Sequence, residues 1–338
     1  MGKMDKLGLL IQDIKARIDK GNFEGLSKSE AFNLANAPVS LYTAIFDLAA
    51  QINSKIGNKV DKCGSFYSDI SPCREDCAFC PFSHRHYASL NLENQEPESL
   101  VRNMIEYTDK ISSLGLSYFK IVSTGLRADS DHIEKICEGI SIVKARNPKL
   151  QICVSMGLLS KQSLIKLKKA GADCYNNNLE TSGKYYNEII TTHSLMQKIK
   201  VIKLAKKIGY KICSGGIFGV GEKIGERIEL FFKIKGLNVD SSPFNIFVKY
   251  DHIPLSSTVG DKSISVMEIF LSLALFRLVY PVCRIVLGGG RDFYLAEKEQ
   301  EFALLIGATA LQSSNALNGK GLIDRVMKDD KLFKNILG

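Results

Sequence analysis

From residue 62 onward, short runs of strand character alternate with longer stretches of helical period. This alternation limits the possible folds of the 338-residue chain more than any other feature. Strand-like runs occupy 62–67, 118–123, 151–156, 173–177, 210–214, 244–248, 283–287 and 308–312. Each is followed by a helical stretch: 98–114, 131–146, 161–170, 194–208, 226–235, 264–280, 297–305 and 322–336. Eight such units predict an α/β chain folded as a (β/α)8 TIM-type barrel, which takes roughly 250 residues. A doubly wound sheet is the other architecture compatible with alternation, but Gly219-Val220-Gly221 follows the wrong element for a dinucleotide-binding turn. Ahead of the barrel, 7–18, 29–35 and 41–56 read as helices, broken at 36–40 by Pro38. The expected organisation is an N-terminal helical extension over 1–57 and a barrel over 58–338.

In such a barrel the reactive groups gather at the C-terminal ends of the strands. Cys153 falls on the third strand and Cys213 on the fifth. Asn176, Asn178 and Glu180 share one parity at the end of the fourth, and Asn245 lies on the sixth. An ordinary barrel interior is filled by branched apolar side chains; this one collects thiols, amides and a carboxylate. Cys137, Cys174 and Cys283 read as small buried hydrophobes.

Cys73, Cys77 and Cys80 stand in the run Cys-Arg-Glu-Asp-Cys-Ala-Phe-Cys, followed at once by Pro81. Zinc sites usually bring two cysteine pairs, or a cysteine pair with histidines. Here one compact loop offers three thiolates and no fourth. Three thiolates can hold three irons of a [4Fe–4S] cube and leave the fourth open to bind a small molecule and pass it an electron. The competing reading is a structural zinc loop completed by His84 or His86.

Composition narrows the class. Nine cysteines, an odd number with three in one loop, do not suit a secreted disulfide framework, so a cytoplasmic location is expected. The most apolar stretch, 269–280, is too short to span a membrane and contains Arg277, and the N-terminus lacks the apolar core of a signal peptide. The net charge of +9 comes from scattered lysines and reads as a solvated basic surface. No nucleic-acid-binding signature accompanies it.

From about residue 62 to the C-terminus the chain resembles the biotin synthase family of the radical SAM superfamily. The resemblance is carried by the three-cysteine loop, by Tyr175-Asn-Asn-Asn-Leu-Glu-Thr-Ser182, by Ile189-Ile-Thr-Thr192 and by Lys211-Ile-Cys-Ser-Gly-Gly-Ile-Phe-Gly-Val-Gly-Glu222. It implies a [4Fe–4S] cluster on Cys73, Cys77 and Cys80 that cleaves S-adenosylmethionine (SAM) to a 5′-deoxyadenosyl radical. It also implies sulfur insertion into dethiobiotin, the sulfur coming from an auxiliary iron–sulfur cluster. Residue by residue, Asn178 and Glu180 resemble contacts to SAM, Asn176 and Asn245 contacts to substrate, and Cys153 and Cys213 ligands of the auxiliary cluster. The family often has aspartate where Glu180 stands. An electron donor such as flavodoxin or ferredoxin and a homodimer belong to the same expectation.

The departures fall on the auxiliary site. The well-known form of the family uses three cysteines and an arginine around a [2Fe–2S] cluster. Its first cysteine falls on Lys120, and its arginine on Val286 or, with a small gap, on Arg284. A Gly-Thr-Pro-Leu turn is His252-Ile-Pro-Leu255 here, and a paired threonine that resembles a substrate-carboxylate contact falls near Asn318-Gly319. Cys63, on the first strand, is a candidate third thiolate; otherwise it is a core thiol. Related enzymes of anaerobes have a cysteine there and a larger auxiliary cluster. Three alternatives share the loop chemistry or dispense with it: a biotin-synthase-like lipoyl synthase acting on an octanoyl carrier, a mutase-type relative such as a methylornithine synthase, and a non-enzymatic iron–sulfur scaffold.

Overall fold

The computed structural model describes residues 2–55, 61–69, 72–85, 98–126, 128–260, 264–313 and 322–337. Three helices come first: α1 (Lys3–Asp19), α2 (Lys28–Ala35) and α3 (Tyr42–Lys55). The first half of the barrel comprises β1 (Asp61–Asp69), α4 (Leu100–Ser113), β2 (Tyr118–Ser123), α5 (Ser130–Arg146), β3 (Gln151–Ser155), α6 (Lys161–Ala170) and β4 (Cys174–Asn176). Then follow α7 (Gly183–Ile189), α8 (Leu195–Ile208), β5 (Lys211–Cys213), β6 (Gly216–Phe218), α9 (Ile224–Leu237) and β7 (Ser241–Ile246). The chain ends with α10 (Pro254–Val259), α11 (Val266–Val279), β8 (Arg284–Leu287), α12 (Arg291–Tyr294), α13 (Glu297–Ile306), β9 (Ala310–Ser313) and α14 (Leu322–Leu337).

Among the described residues the strands form one parallel sheet in the order β5-β4-β3-β2-β1-β9-β8-β7-β6, and a β5–β7 pairing closes it. β5 and β6 are two halves of one barrel position, interrupted at Ser214-Gly215, so the nine strands make the expected eight-membered barrel. The interruption is a matter of space. A Cβ on Gly215 would lie 2.0 Å from the Pro243 carbonyl oxygen, and one on Gly216 would lie 2.6 Å from that of Glu180. Only glycine lets β5–β6 pass this close to β7 and to the end of β4.

Period-2 alternation sorts the side chains. Outward-facing Phe66 and Phe119 pack with Tyr107 of α4, and Phe244 stacks on Phe218 at 4.0 Å, which in turn meets Phe231 of α9. The helices bury this outer face. From Ile269 to Val279 α11 is buried throughout, against α3, α9 and α13. The charge within this buried stretch, Arg277, donates to the carbonyls of Gly307, Pro281 and Cys283, which satisfies the guanidinium without an acidic partner. Among the described residues no helix is long and apolar enough to cross a membrane. The N-terminal helices share the same hydrophobic cluster as the barrel, α3 against α11 and α13, α2 against α9.

The sixth barrel strand begins earlier than its sequence suggests, at Ser241 rather than 244. Pro243 looks like a breaker because it has no amide hydrogen. The ladder to β8 nevertheless runs from Ser241↔Arg284 through Pro243↔Val286 to Phe244↔Leu287, so tertiary pairing overrides local propensity. Gly215→Ala is expected to destabilise the fold by about 1–3 kcal/mol through overpacking against β7. A lowered urea midpoint at unchanged m would register it; a wild-type midpoint would contradict the close approach.

Candidate active site

The three-cysteine loop follows β1 and folds back on itself. Cys73 N donates to Phe82 O and His84 N to Cys73 O, both at 2.7 Å, and Cys80 N donates to Cys77 O at 3.0 Å. Its anchor is Asp76. This buried carboxylate accepts from the amides of Thr191 and Thr192 at 2.9 and 3.1 Å and from both threonine hydroxyls. Burial alone would raise its pKa, but these four donors hold it far below the ordinary aspartate value. Ala78 N donates to Ile189 O at 2.9 Å, and Glu75 Oε2 meets His193 Nδ1 at 2.7 Å. The Ile-Ile-Thr-Thr run is therefore the socket into which the cysteine loop is plugged. Asp76 went unmarked in the sequence reading; its place among three cysteines, and a Thr-Thr pair more than a hundred residues away, gave no local sign that the two meet.

The loop caps a cavity of ≈ 270 Å³ at the C-terminal ends of β1 to β4. Cys73, Cys77 and Cys80 line it together with Asn176, Asn178 and Glu180. Burial raises all three thiols, Cys80 to about 11; Cys77 is pushed up further, by burial and then by Cys80. A cluster binding there must displace these protons. Glu180 is held at φ +68°, a left-handed conformation unusual for a residue with a Cβ. Its backbone is fixed by Gly215 O, which accepts from Glu180 N, and by Ile217 N, which donates to Glu180 O. Lys198 Nζ donates to Oε1 at 3.3 Å, while the buried Oε2 has no partner.

The amides differ in how far the protein occupies them. Asn178 Oδ1 accepts from Gly215 N and from Asn176 Nδ2, both at 3.2 Å. Asn176 also donates to Cys213 O and accepts from the Ser155 hydroxyl. Asn245 lies outside the cavity lining: its Nδ2 donates to Gly216 O at 3.2 Å and its Oδ1 accepts from Gly289 N at 3.0 Å, tying β6 to the end of β8.

Deeper in the barrel, Cys153, Cys174 and Cys213 form a separate buried cluster, with their thiols in hydrogen-bonding reach of one another. Cys174 is buried, as its reading as a small buried hydrophobe expects, and it also meets two other thiols. Register is the reason: Cys174 of β4 pairs directly with Cys153 of β3 and shares inward parity with Asn176. Hydrogen bonds from Cys153 and Cys174 hold the Cys213 thiol well below its ordinary value. Lys120, whose β2 position pairs with Cys153, stands beside them. Burial works against its charge, but the sulfurs of Cys213, Cys153 and Cys63 raise its pKa. Cys63 is buried on β1 near Lys120 and Arg284 and is pushed up to about 11 by burial; it is not part of the three-thiol cluster. Arg284 sits lower, paired with Asp61 at 2.8 Å and stacked over Tyr118, while Val286 is buried without a charge to offer.

Among the described residues no group of three or more His, Cys, Asp or Glu side chains is already disposed to hold a metal ion, so ligation at either thiol set calls for side-chain rotation. The donor sets still fit iron–sulfur clusters: three thiols open on one cavity at the loop, and three more meet inside the barrel. His84 is exposed and tied to Cys73 only through its backbone; His86 and the Asn318-Gly319 pair lie outside the described residues.

The Asp76 anchor has a testable pH signature. Because its folded-state pKa is depressed, its stabilisation is fully present above the unfolded value, about 3.9, and is lost as pH falls below it. Asp76→Asn should therefore cost about 1–3 kcal/mol near neutrality. The gap to wild type should shrink as pH drops below about 4. Urea unfolding of the cluster-free protein across that range checks both statements.

The radical SAM superfamily matches residues 68–234, a span that contains the cysteine loop, the threonine socket and the second to fifth barrel positions. Over 277 residues the chain is 35% identical to the biotin synthase of Caldicellulosiruptor bescii, covering 82% of this chain and 80% of that protein. Over 317 residues it is 32% identical to the biotin synthase of Aquifex aeolicus, covering 93% and 92%. Among solved structures, methylornithine synthase superposes with a TM-score of 0.77 at 19% identity, covering 96% of this chain and 99% of that one. The FeFe-hydrogenase maturase from Carboxydothermus hydrogenoformans reaches 0.75 at 17%, covering 98% and 84%. These two likenesses are of fold. Membership of the superfamily implies a [4Fe–4S] cluster and SAM as cofactors. The chain is an enzyme and belongs to the biotin synthase family of the radical SAM superfamily, a family of sulfur-inserting enzymes.

Proposed function

We propose that this enzyme converts dethiobiotin to biotin, with sulfur donated by an auxiliary iron–sulfur cluster. The observation that carries the reading is spatial: three loop thiols and an unpaired buried carboxylate oxygen share one cavity, and a second set of thiols lies in the barrel beneath it. When bound, the cofactors supply a 5′-deoxyadenosyl radical able to take hydrogen from an unactivated C–H bond, and a source of sulfur.

The chain's own groups bind, orient and exclude water. Cys73, Cys77 and Cys80 hold the loop cluster. Glu180 and Asn178 receive SAM. The free Oε2 of Glu180 accepts from its polar hydrogens, and Lys198 holds the other oxygen in place. Phe79, Phe82, Leu126 and Leu158 give the cavity apolar walls that keep water from a reactive radical. Asn176 and Asn245 suit the ureido group of dethiobiotin because an amide donates and accepts together. Asn245 keeps one amide hydrogen and an oxygen lone pair for a ligand, while Asn176, whose two amide hydrogens go to Asn178 Oδ1 and Cys213 O, keeps room at Oδ1 to accept from a ureido N–H. Cys153 and Cys213 bind the sulfur-donating cluster. A flavodoxin- or ferredoxin-like donor, a homodimer and a cytoplasmic location complete the proposal.

Each of Cys73→Ala, Cys77→Ala and Cys80→Ala should abolish 5′-deoxyadenosine formation by anaerobic, reduced enzyme; wild-type-like cleavage in any one would remove that residue from the cluster. Loss of a hydrogen bond to a charged group costs about 1.5–3 kcal/mol, so Glu180→Ala should weaken SAM binding about 10- to 150-fold by equilibrium dialysis. Reconstituted enzyme given SAM, reductant and either dethiobiotin or an octanoyl-lysyl carrier decides the substrate. Biotin supports the proposal, and a lipoyl product without biotin overturns it.

A further inference from the structure

The inner thiol cluster contains a residue that neither the family resemblance nor the comparisons assign. β2, β3 and β4 are consecutive neighbours, and their register sets Lys120, Cys153 and Cys174 in a row across them. Cys213 on β5 is next, paired with Asn176 two residues beyond Cys174 on the same inward face of β4. Cys153, Cys174 and Cys213 are all buried and in contact, exposed by only 5–7%. Three successive strands therefore aim three sulfurs at one point in the barrel, with the Lys120 ammonium on the fourth. Cys63, on the far side of β2, is near enough to feel Cys213 electrostatically but lies outside this contact group.

We infer that Cys174 is the third thiolate of the auxiliary cluster, with Cys153 and Cys213, and that Lys120 supplies the positive charge beside it. The inference rests on the reading that an auxiliary cluster is bound at all. Its chemistry is direct. A thiolate-ligated cluster carries negative charge, and charge in a buried site must be compensated. Lys120 stands where the common form of the family has a ligating cysteine, so here that position offers a cation in place of a sulfur. Cys174, one strand beyond Cys153, restores the count of three thiolates. Arg284 cannot take the counter-charge role as readily, since Asp61 already neutralises it.

The test uses the full chain, reconstituted anaerobically with iron and sulfide, and reads metal and sulfide per chain together with the Mössbauer spectrum. Wild type should hold iron beyond that of the loop cluster. Cys174→Ala should lose this extra iron and its spectral component while keeping the component of the loop cluster, and Cys63→Ala should keep both. Should Cys174→Ala fail to fold, Cys174→Ser, which nearly preserves volume, carries the same comparison. Lys120→Met should retain the sulfurs but shift the reduction potential of the second component downward, because a nearby positive charge has been removed. Full second-cluster iron in the Cys174 variants, or its loss in Cys63→Ala, overturns the assignment, as does wild type without any iron beyond the loop cluster. These readouts are independent of product. If the second component depends on Cys174 but no biotin forms, the ligand assignment stands and the substrate reading falls.

Discussion

The pairing of Cys213 with Ser241 joins β5 to β7 and turns an open sheet into a barrel. Much of the site depends on that closure. It forces the chain to break between β5 and β6, and Gly215 and Gly216 make the break possible by admitting the backbones of β7 and of Glu180. The break frees backbone groups that the end of β4 then uses. Gly215 N donates to the Asn178 side chain, Gly215 O accepts from Glu180 N, and Ile217 N donates to Glu180 O. The left-handed conformation of Glu180, costly by about 1–3 kcal/mol for strained backbone in general, is held by these contacts.

Closure also explains an inverted distribution of polarity. The large aromatic and aliphatic residues of the strands face outward under the helices, and the interior holds thiols, serines, amides and a lysine. Such an interior is tolerable because many of its groups satisfy one another: Asn176 with Ser155 and Cys213 O, the thiols with each other, Lys120 with the sulfurs around it; Ser65 Oγ and Glu180 Oε2 are left without a protein partner. The outer layer carries the hydrophobic burden. α11 can be apolar on every side because N-terminal helices cover the flank that a barrel alone would leave wet.

The cysteine loop is fixed by charge rather than by its sulfurs. Asp76 is bound by two threonines and Glu75 by His193, while Lys198 balances Glu180 across the cavity. None of these ties uses Cys73, Cys77 or Cys80 side chains. The anchor therefore fixes the loop backbone before any metal arrives and leaves the thiols free to rotate into ligation, so the ordering cost of the loop is met by the fold.

The eight strand–helix units, the position of the loop and the inward parity of Cys153, Cys213 and Asn176 were legible from the chain, because periodicity and strand position are local properties; Glu180 lines the cavity from beyond the end of β4, where strand parity no longer applies. Spacing alone also marked Cys73, Cys77 and Cys80 as a set. What local pattern could not reveal was which distant residues meet. The start of β7 at Ser241 was hidden by Pro243, since only pairing with β8 makes that segment a strand. Asp76 gained its role from threonines that lie far along the chain, and Cys174 from the register between β3 and β4. A single cysteine on a strand has the same appearance whether it packs as a hydrophobe or faces two other sulfurs. Register and closure distinguish the two, and they are settled by the summed packing of the whole sheet rather than by the residues at the site.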